Sequence, residues 1–289
     1  MFAKAIQNVE PYTMPVVISA KLFDGSIQSG CGTFIVLNKE GWILTAAHIV
    51  QQLNLFQQHQ KELVEYQKAR TEIVNNSNLR RKLRENQLRN LRSNPHWITN
   101  QAIMWGWPKA VIRRFETNLN CDLAAGKLEP FDEAWVNTYP IFKNPKEPMQ
   151  IGSSLCRLGY PLYEISATFD NGSFSLAPGV LPIPRFPNDG IFTRNINMIS
   201  TDKSRTSKFL ETSTAGLRGQ SGGPIFDTEG HIWALQSCTQ SLPLGFAPVV
   251  SDGKNKIVEH QFMHVGWGVH VEEIIAFLTS NGIAFKLSS

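Results

Sequence analysis

Late in the chain stands Gly219-Gln220-Ser221-Gly222-Gly223-Pro224, a serine set among three glycines. A serine hydroxyl is a weak nucleophile until a base takes its proton and donors await the charge that develops on the attacked carbonyl. Flanking glycines let the backbone turn tightly and point N–H groups at an incoming carbonyl, an approach that a side chain at Gly219 crowds. The donor pair read here is the backbone N–H of Gly219 with that of Ser221. Taken alone, the segment reads equally well as a glycine-rich turn between two strands.

Two upstream segments break that tie. Thr45-Ala46-Ala47-His48 closes an apolar strand with small residues and then a histidine. Small neighbours let the strand end pack closely and present one imidazole at a crevice. Asn120-Cys121-Asp122-Leu123-Ala124-Ala125 sets a carboxylate where another apolar strand begins, a position an Asp commonly takes as a cap. The other histidines (His59, His96, His231, His260, His264, His270) have no such setting and read as core or surface residues.

In the order His48, Asp122, Ser221, these segments resemble the chymotrypsin/trypsin-like serine peptidases over about 12–50 and 105–279. The likeness is greatest to the bacterial HtrA-like branch. Thr212 to Ser221 (TSTAGLRGQS) is similar to that branch's TDASINRGNS. Ile151 to Pro161 (IGSSLCRLGYP) is similar to its pre-pocket strand, and Gly266-Trp267-Gly268-Val269 to the strand before its closing helix. The resemblance implies an all-β fold, a double six-stranded β-barrel with the site in the cleft between the barrels. It makes Ser221 the nucleophile, His48 the general base and then acid, and Asp122 the residue that orients the imidazole. Gly219 and Ser221 supply the oxyanion hole. The substrate is a protein or peptide, cleaved through an acyl-enzyme, with no metal or organic cofactor. The base of the family's first specificity pocket aligns with Ala215 and its wall with Gln236, Ser237 and Cys238. No carboxylate stands there to pair a cation, so small or medium apolar side chains are expected rather than Arg or Lys.

Departures from the pattern are informative. Secreted relatives carry Asp before the serine to receive a new N-terminal ammonium. Gln220 has no charge for that purpose, so activation without an N-terminal ion pair is expected. Arg218 reads as an exposed charge or part of a switch. Ile49 and Leu217 stand where secreted enzymes place disulfide cysteines, and no PDZ-like module is expected after the terminal helix.

Composition agrees with this reading. The chain has 289 residues, a net charge of +4 and 42% hydrophobic residues, too apolar for a disordered chain. No run approaches the ~18 apolar residues of a membrane span, and the first ten residues are too polar for a secretory leader. Cys31, Cys121, Cys156 and Cys238 are scattered, with no zinc-type spacing. A cytoplasmic protein with free thiols is expected. Its strands are read at Pro15–Ala20, Gly32–Leu37 and Gly41–Ala47. One peptidase domain is expected over 1–289: an N-terminal barrel at about 12–135, a C-terminal barrel at about 145–270 and a closing helix at about 271–279.

Between His48 and Asp122 the composition changes. From Gln51 to about Ser93 there is no Gly or Pro, and Gln, Leu, Glu, Lys and Arg dominate. A helical hairpin is expected within an insertion at about 51–94, its arms at 52–74 and 79–92. Residues 51–95 hold nine basic and four acidic side chains, a charge of +5, which leaves −1 for the rest of the chain. That concentration suits a partner at 51–94, an acidic protein, nucleic acid or an anionic surface, or else a hairpin that is basic and simply solvated. Aromatic residues are too sparse there to favour nucleic acid by base stacking. Phe56, Leu63 and Tyr66 on one arm, with Leu79, Leu83, Leu88 and Leu91 on the other, form a narrow stripe for closing the hairpin or meeting a partner. The competing readings are an idle protease fold that binds through the hairpin, and an esterase.

Overall fold

The computed structural model describes residues 1–161, 164–199, 205–252 and 255–289. Helix α1 (Ala3–Val9), which the sequence reading does not include, buries Ala5 and Val9, one turn apart, against the core. A first sheet follows: β1 (Thr13–Leu22), β2 (Ile27–Val36) and β3 (Trp42–Ala46). Then come the insertion helices α2 (Ala47–Asn75) and α3 (Arg81–Asn90), and β4 (Ile98–Trp105), β5 (Val111–Asn118) and β6 (Leu123–Glu129). The strands lie in the order β4-β1-β2-β3-β6-β5, each neighbouring pair antiparallel. No ladder joins β4 to β5 among the described residues, so this barrel stays open on one side.

The second half contains β7 (Ile141–Phe142), β8 (Ser154–Gly159), the hairpin β9 (Ala167–Asp170) and β10 (Ser173–Leu176), β11 (Phe186–Ile199), β12 (Thr206–Thr212), β13 (Pro224–Phe226) and β14 (Ile232–Pro243). The hairpin β15 (Val249–Asp252) and β16 (Asn255–Val258), β17 (Phe262–His270), α4 (Val271–Ser280) and β18 (Lys286–Leu287) complete it. The order β13-β8-β11-β12-β17-β14 returns to β13 through a β13–β14 pairing, which closes a six-stranded ring. The short strands β7 and β18 extend it in parallel. The body is therefore all-β, two barrels with a helical insertion and a closing helix.

One apolar core runs through both halves: Phe34, Leu44 and Leu123 from the first sheet join Phe142, Leu158, Phe226 and Leu235 from the second. Each such side chain contributes about 1.5–3 kcal/mol by leaving water, so the two halves hold each other in place. Stitches across the seam fix the register. Tyr160 Oη donates to the Thr13 carbonyl at 2.6 Å, and Thr33 Oγ1 to the Gly219 carbonyl at 2.7 Å.

The insertion differs from expectation in how it sits. Helix α2 begins at Ala47, not past His48, and its apolar stripe turns toward β4 rather than toward α3. Leu63 is buried, and Tyr66 meets Phe23 and Trp97 in a cluster of three rings. Gln60 Nε2 donates to the Ile98 carbonyl at 2.8 Å, and His59 Nδ1 accepts the Ile98 N–H at 3.0 Å. The hairpin thus runs along the β4 edge before it projects. Beyond Tyr66 it is largely solvated, and α3 buries no residue.

Candidate active site

The ladder between β3 and β6 ends at Ala46 opposite Leu123. Two residues past the end of β3 and one before the start of β6, His48 and Asp122 are therefore neighbours although 74 positions separate them. Ala46 offers no side chain to cap α2. Asp122 does so from across the sheet: its backbone carbonyl accepts the Ala47 N–H at 3.1 Å and its Oδ1 the His48 N–H at 2.9 Å. This fills two of the helix's orphan donors and sets an anion at its positive end. Asp122 itself sits at φ +56°, in the left-handed region that short polar residues tolerate. The helix cap and the imidazole partner are one carboxylate.

His48 Nδ1 lies 2.9 Å from Asp122 Oδ2 and 3.1 Å from Oδ1. Ser237 Oγ donates to Oδ2 at 2.6 Å. Burial works to raise the Asp122 pKa, but the bonds from the His48 ring, its charge and the Ser237 hydroxyl outweigh it. The net shift is downward from the ordinary carboxylate value. Asp122 remains an anion facing the ring, which favours a proton on Nδ1 and leaves Nε2 free to accept one.

Across the seam, His48, Ser221, Gly219 and Arg218 line one open cleft of about 380 Å³. Ser221 Oγ does not bond the ring here; it donates to the Ser237 carbonyl at 3.3 Å. The serine loop is anchored by Thr33, whose N–H donates to the Ser221 carbonyl at 2.9 Å and whose hydroxyl holds the Gly219 carbonyl. Both carbonyls face the protein, and the N–H groups of Gly219 and Ser221 have no partner among the described residues. Gly219 has φ +102°, and a Cβ there would lie 2.4 Å from the Tyr160 carbonyl oxygen. The steric need for glycine here comes from the protein wall.

Gln220 is fully buried. Its Oε1 accepts the Leu217 N–H at 2.9 Å and its Nε2 donates to the Phe186 carbonyl at 3.3 Å. A neutral amide holds the loop by bonding one donor and one acceptor. Arg218 is exposed on the cleft wall. Cys31, Cys121, Cys156 and Cys238 are free thiols. Burial pushes the first three up to about 12 and raises Cys238 as well, so none is a thiolate at neutral pH.

The four positions aligned with the specificity pocket have different partners. Ser237, read as pocket wall, bonds Asp122, so its hydroxyl belongs to the histidine's support. The Ala215 carbonyl accepts from Arg157 Nη1 at 2.7 Å and from Asn188 Nδ2 at 2.8 Å. Gln236 is buried between Gly216 and Cys238, and Cys238 Sγ accepts from Gln240. The sequence reading missed Arg157. Its signal was a lone charge inside the apolar strand Ser154-Leu155-Cys156-Arg157-Leu158, where a cation is rarely buried without a duty.

Residues 32–235 match the family model described as trypsin-like peptidase domain. Among solved structures, a variant of the HtrA-type protease AlgW with a decapeptide is similar in fold. Its TM-score is 0.50 at 11% identity, covering 98% of this chain and 68% of that one. The active form of the Rv3671c protease from M. tuberculosis gives 0.49 at 14% identity, covering 98% and 86%. No curated protein sequence matches the chain. The family match spans most of the chain and takes in the histidine, aspartate and serine segments alike, so this protein belongs to the trypsin-like peptidases.

Proposed function

We propose that the protein is a serine endopeptidase that cuts peptide bonds through an acyl-enzyme, with Ser221 as nucleophile. The observation that carries the reading is the bonded chain Ser237–Asp122–His48 facing Ser221 across one cleft. Rotation about the Ser221 Cα–Cβ bond turns Oγ from the Ser237 carbonyl toward His48 Nε2. The imidazole takes the hydroxyl proton as Oγ bonds the scissile carbonyl carbon. The oxyanion then forms against the N–H groups of Gly219 and Ser221. His48 returns that proton to the departing amine, and a water repeats the sequence to free the acid. Asp122 stabilises the imidazolium throughout.

Peptide-library digestion read by mass spectrometry tests this. New termini inside peptides are expected with the native enzyme and none with Ser221→Ala. Hydrolysis of activated esters without any peptide cleavage would favour an esterase. Ser237→Ala removes one donor that holds Asp122 low, so the carboxyl pKa rises. kcat/KM at neutral pH is then expected to fall about tenfold, the worth of one hydrogen bond.

Gln220 supports activity without an N-terminal ammonium. A chain carrying an uncleaved N-terminal extension is expected to keep its activity within about twofold, because no charge waits for a terminus. Activation of about a hundredfold on removing the extension would contradict this.

The same reading places the protein in the cytoplasm, acting on a narrow set of targets; four free thiols support a reducing compartment. The solvated, basic end of the insertion then serves as a docking element for an acidic protein. Excising residues 68–93 spares Leu63 and Tyr66. It is expected to leave short-peptide cleavage intact while abolishing salt-sensitive binding of an acidic protein. Unchanged binding would remove that role.

A further inference from the structure

Strand β14 is paired on both sides only near its start. Ala234 and Leu235 lie between β13 and β17, whereas residues 238–243 pair with β17 alone among the described residues. Thr239, Ser241 and Pro243 are exposed along this half-open stretch. A strand edge of this kind carries a row of main-chain donors and acceptors ready for another strand. It begins beside the catalytic serine, because the Ser237 carbonyl accepts from Ser221 Oγ at 3.3 Å.

Register decides which main-chain groups face the open side. One residue past the Pro243–Phe262 pair, the Leu244 N–H donates to the Gln261 carbonyl at 3.0 Å, so Leu244 turns its polar groups inward. Alternation along an antiparallel strand aims Leu242, Gln240 and Cys238 the same way, and Thr239, Ser241 and Pro243 outward. At the other end, the Gln236 N–H and carbonyl face Gly223 and Gly222, away from β17. The register shift between Gln236 and Cys238 reconciles the two ends, with Ser237 as the extra residue whose carbonyl faces Ser221. Pro243 occupies an outward position, where a ladder tolerates a residue without an N–H. No third segment bonds the N–H or carbonyl of Thr239 or Ser241 among the described residues.

We propose that this edge extends the substrate site out to Ser241, so that the enzyme selects long, extended chain segments whose fifth residue upstream of the scissile bond pairs with it. The inference rests on the endopeptidase reading and deepens it. Once Ser221 Oγ turns to His48, the Ser237 carbonyl is left facing the cleft beside the attacked carbon. The departing amine must lie against His48, on the side walled by Gln28 to Gly32, so the acyl segment takes the β14 side. Its residues then run antiparallel to β14 and form a rung at every second position. The residue bearing the scissile carbonyl gives its N–H to Ser237. The third residue upstream meets Thr239, and the fifth exchanges two bonds with Ser241. Pro243 has no N–H for a seventh, so the last full rung is at Ser241. Recognition through the main chain tolerates many side chains but excludes proline at the fifth residue, which must donate.

The test is a peptide series that shares one cleaved sequence and extends three to six residues upstream of it. With native enzyme, the six-residue peptide is expected to exceed the three-residue one in kcat/KM by about tenfold. N-methylation of the fifth residue is expected to erase that gain, whereas methylation of the fourth, whose N–H points away from β14, keeps most of it. Ser241→Pro removes the outward N–H without touching a bond to β17. The six-to-three rate ratio is expected to fall to near one in that variant and to survive in Ser241→Ala, because the backbone carries the rung. Melting curves accompany both variants, and the methylated series stands even if Ser241→Pro fails to fold. Rates that ignore length beyond the third residue, equal losses on methylating the fourth and fifth, or a full ratio in folded Ser241→Pro would overturn the inference and leave the endopeptidase reading standing. A dimer that Ser241→Pro dissolves, without any length dependence, would assign the edge to a second copy of the chain and overturn it too. Absence of both fluorophosphonate labelling and cleavage in the native protein would overturn the endopeptidase reading, and the docking edge with it.

Discussion

Asp122→Asn is expected to lower kcat by about 10⁴-fold while the protein still folds. In the native chain this carboxylate accepts from the His48 N–H, the His48 ring and the Ser237 hydroxyl. Asparagine has one acceptor oxygen and an NH₂ group for the same donors. If its oxygen keeps the helix N–H, its NH₂ faces Nδ1 and forces the imidazole into the tautomer with its proton on Nε2. That ring cannot take the proton of Ser221. Losing part of the cap on α2 costs about 1 kcal/mol, a small displacement of the melting curve. Steady-state kinetics beside a thermal melt separates the two effects. A fall of less than about tenfold would show that the imidazole gains nothing from the anion.

Gly219→Ala is expected to cut kcat by about 10²–10³, through position rather than chemistry. The residue sits at φ +102°, and the added Cβ meets the Tyr160 carbonyl oxygen, a backbone atom that cannot swing aside. Relief requires the loop to rotate. Rotation breaks the bond from Thr33 Oγ1 to the Gly219 carbonyl and turns the Gly219 N–H off the oxyanion. Strain of this kind costs about 1–3 kcal/mol, so a folded protein with slow turnover and little change in KM is anticipated. Near-native kcat in the variant would mean that the N–H of this residue is not an oxyanion donor.

The parts of this site that could be read in advance were local. The small-residue strand end before His48, the Asp at the head of an apolar strand and the glycines about Ser221 each leave a mark within six residues. Chain order then joined them. What stayed hidden depends on register. That Asp122 also caps α2 follows from Ala46 lying opposite Leu123, a pairing no short motif encodes. Ser237 reaches Asp122 from the other barrel, 115 positions away. The insertion's stripe announced a buried face but not its partner, because Trp97 and Ile98 lie beyond the hairpin and meet it only through the β1–β4 pairing. Arg157 looked like one charge in an apolar run, and only its place behind Ala215 gives it meaning.

Intact-mass measurement after exposure to a fluorophosphonate asks most directly whether the alcohol is activated. The account predicts a single adduct mapped to Ser221, absent from Ser221→Ala and strongly slowed in His48→Ala. A folded native protein that forms no adduct at Ser221 across neutral and mildly alkaline pH, or that labels as fast without His48, would contradict it.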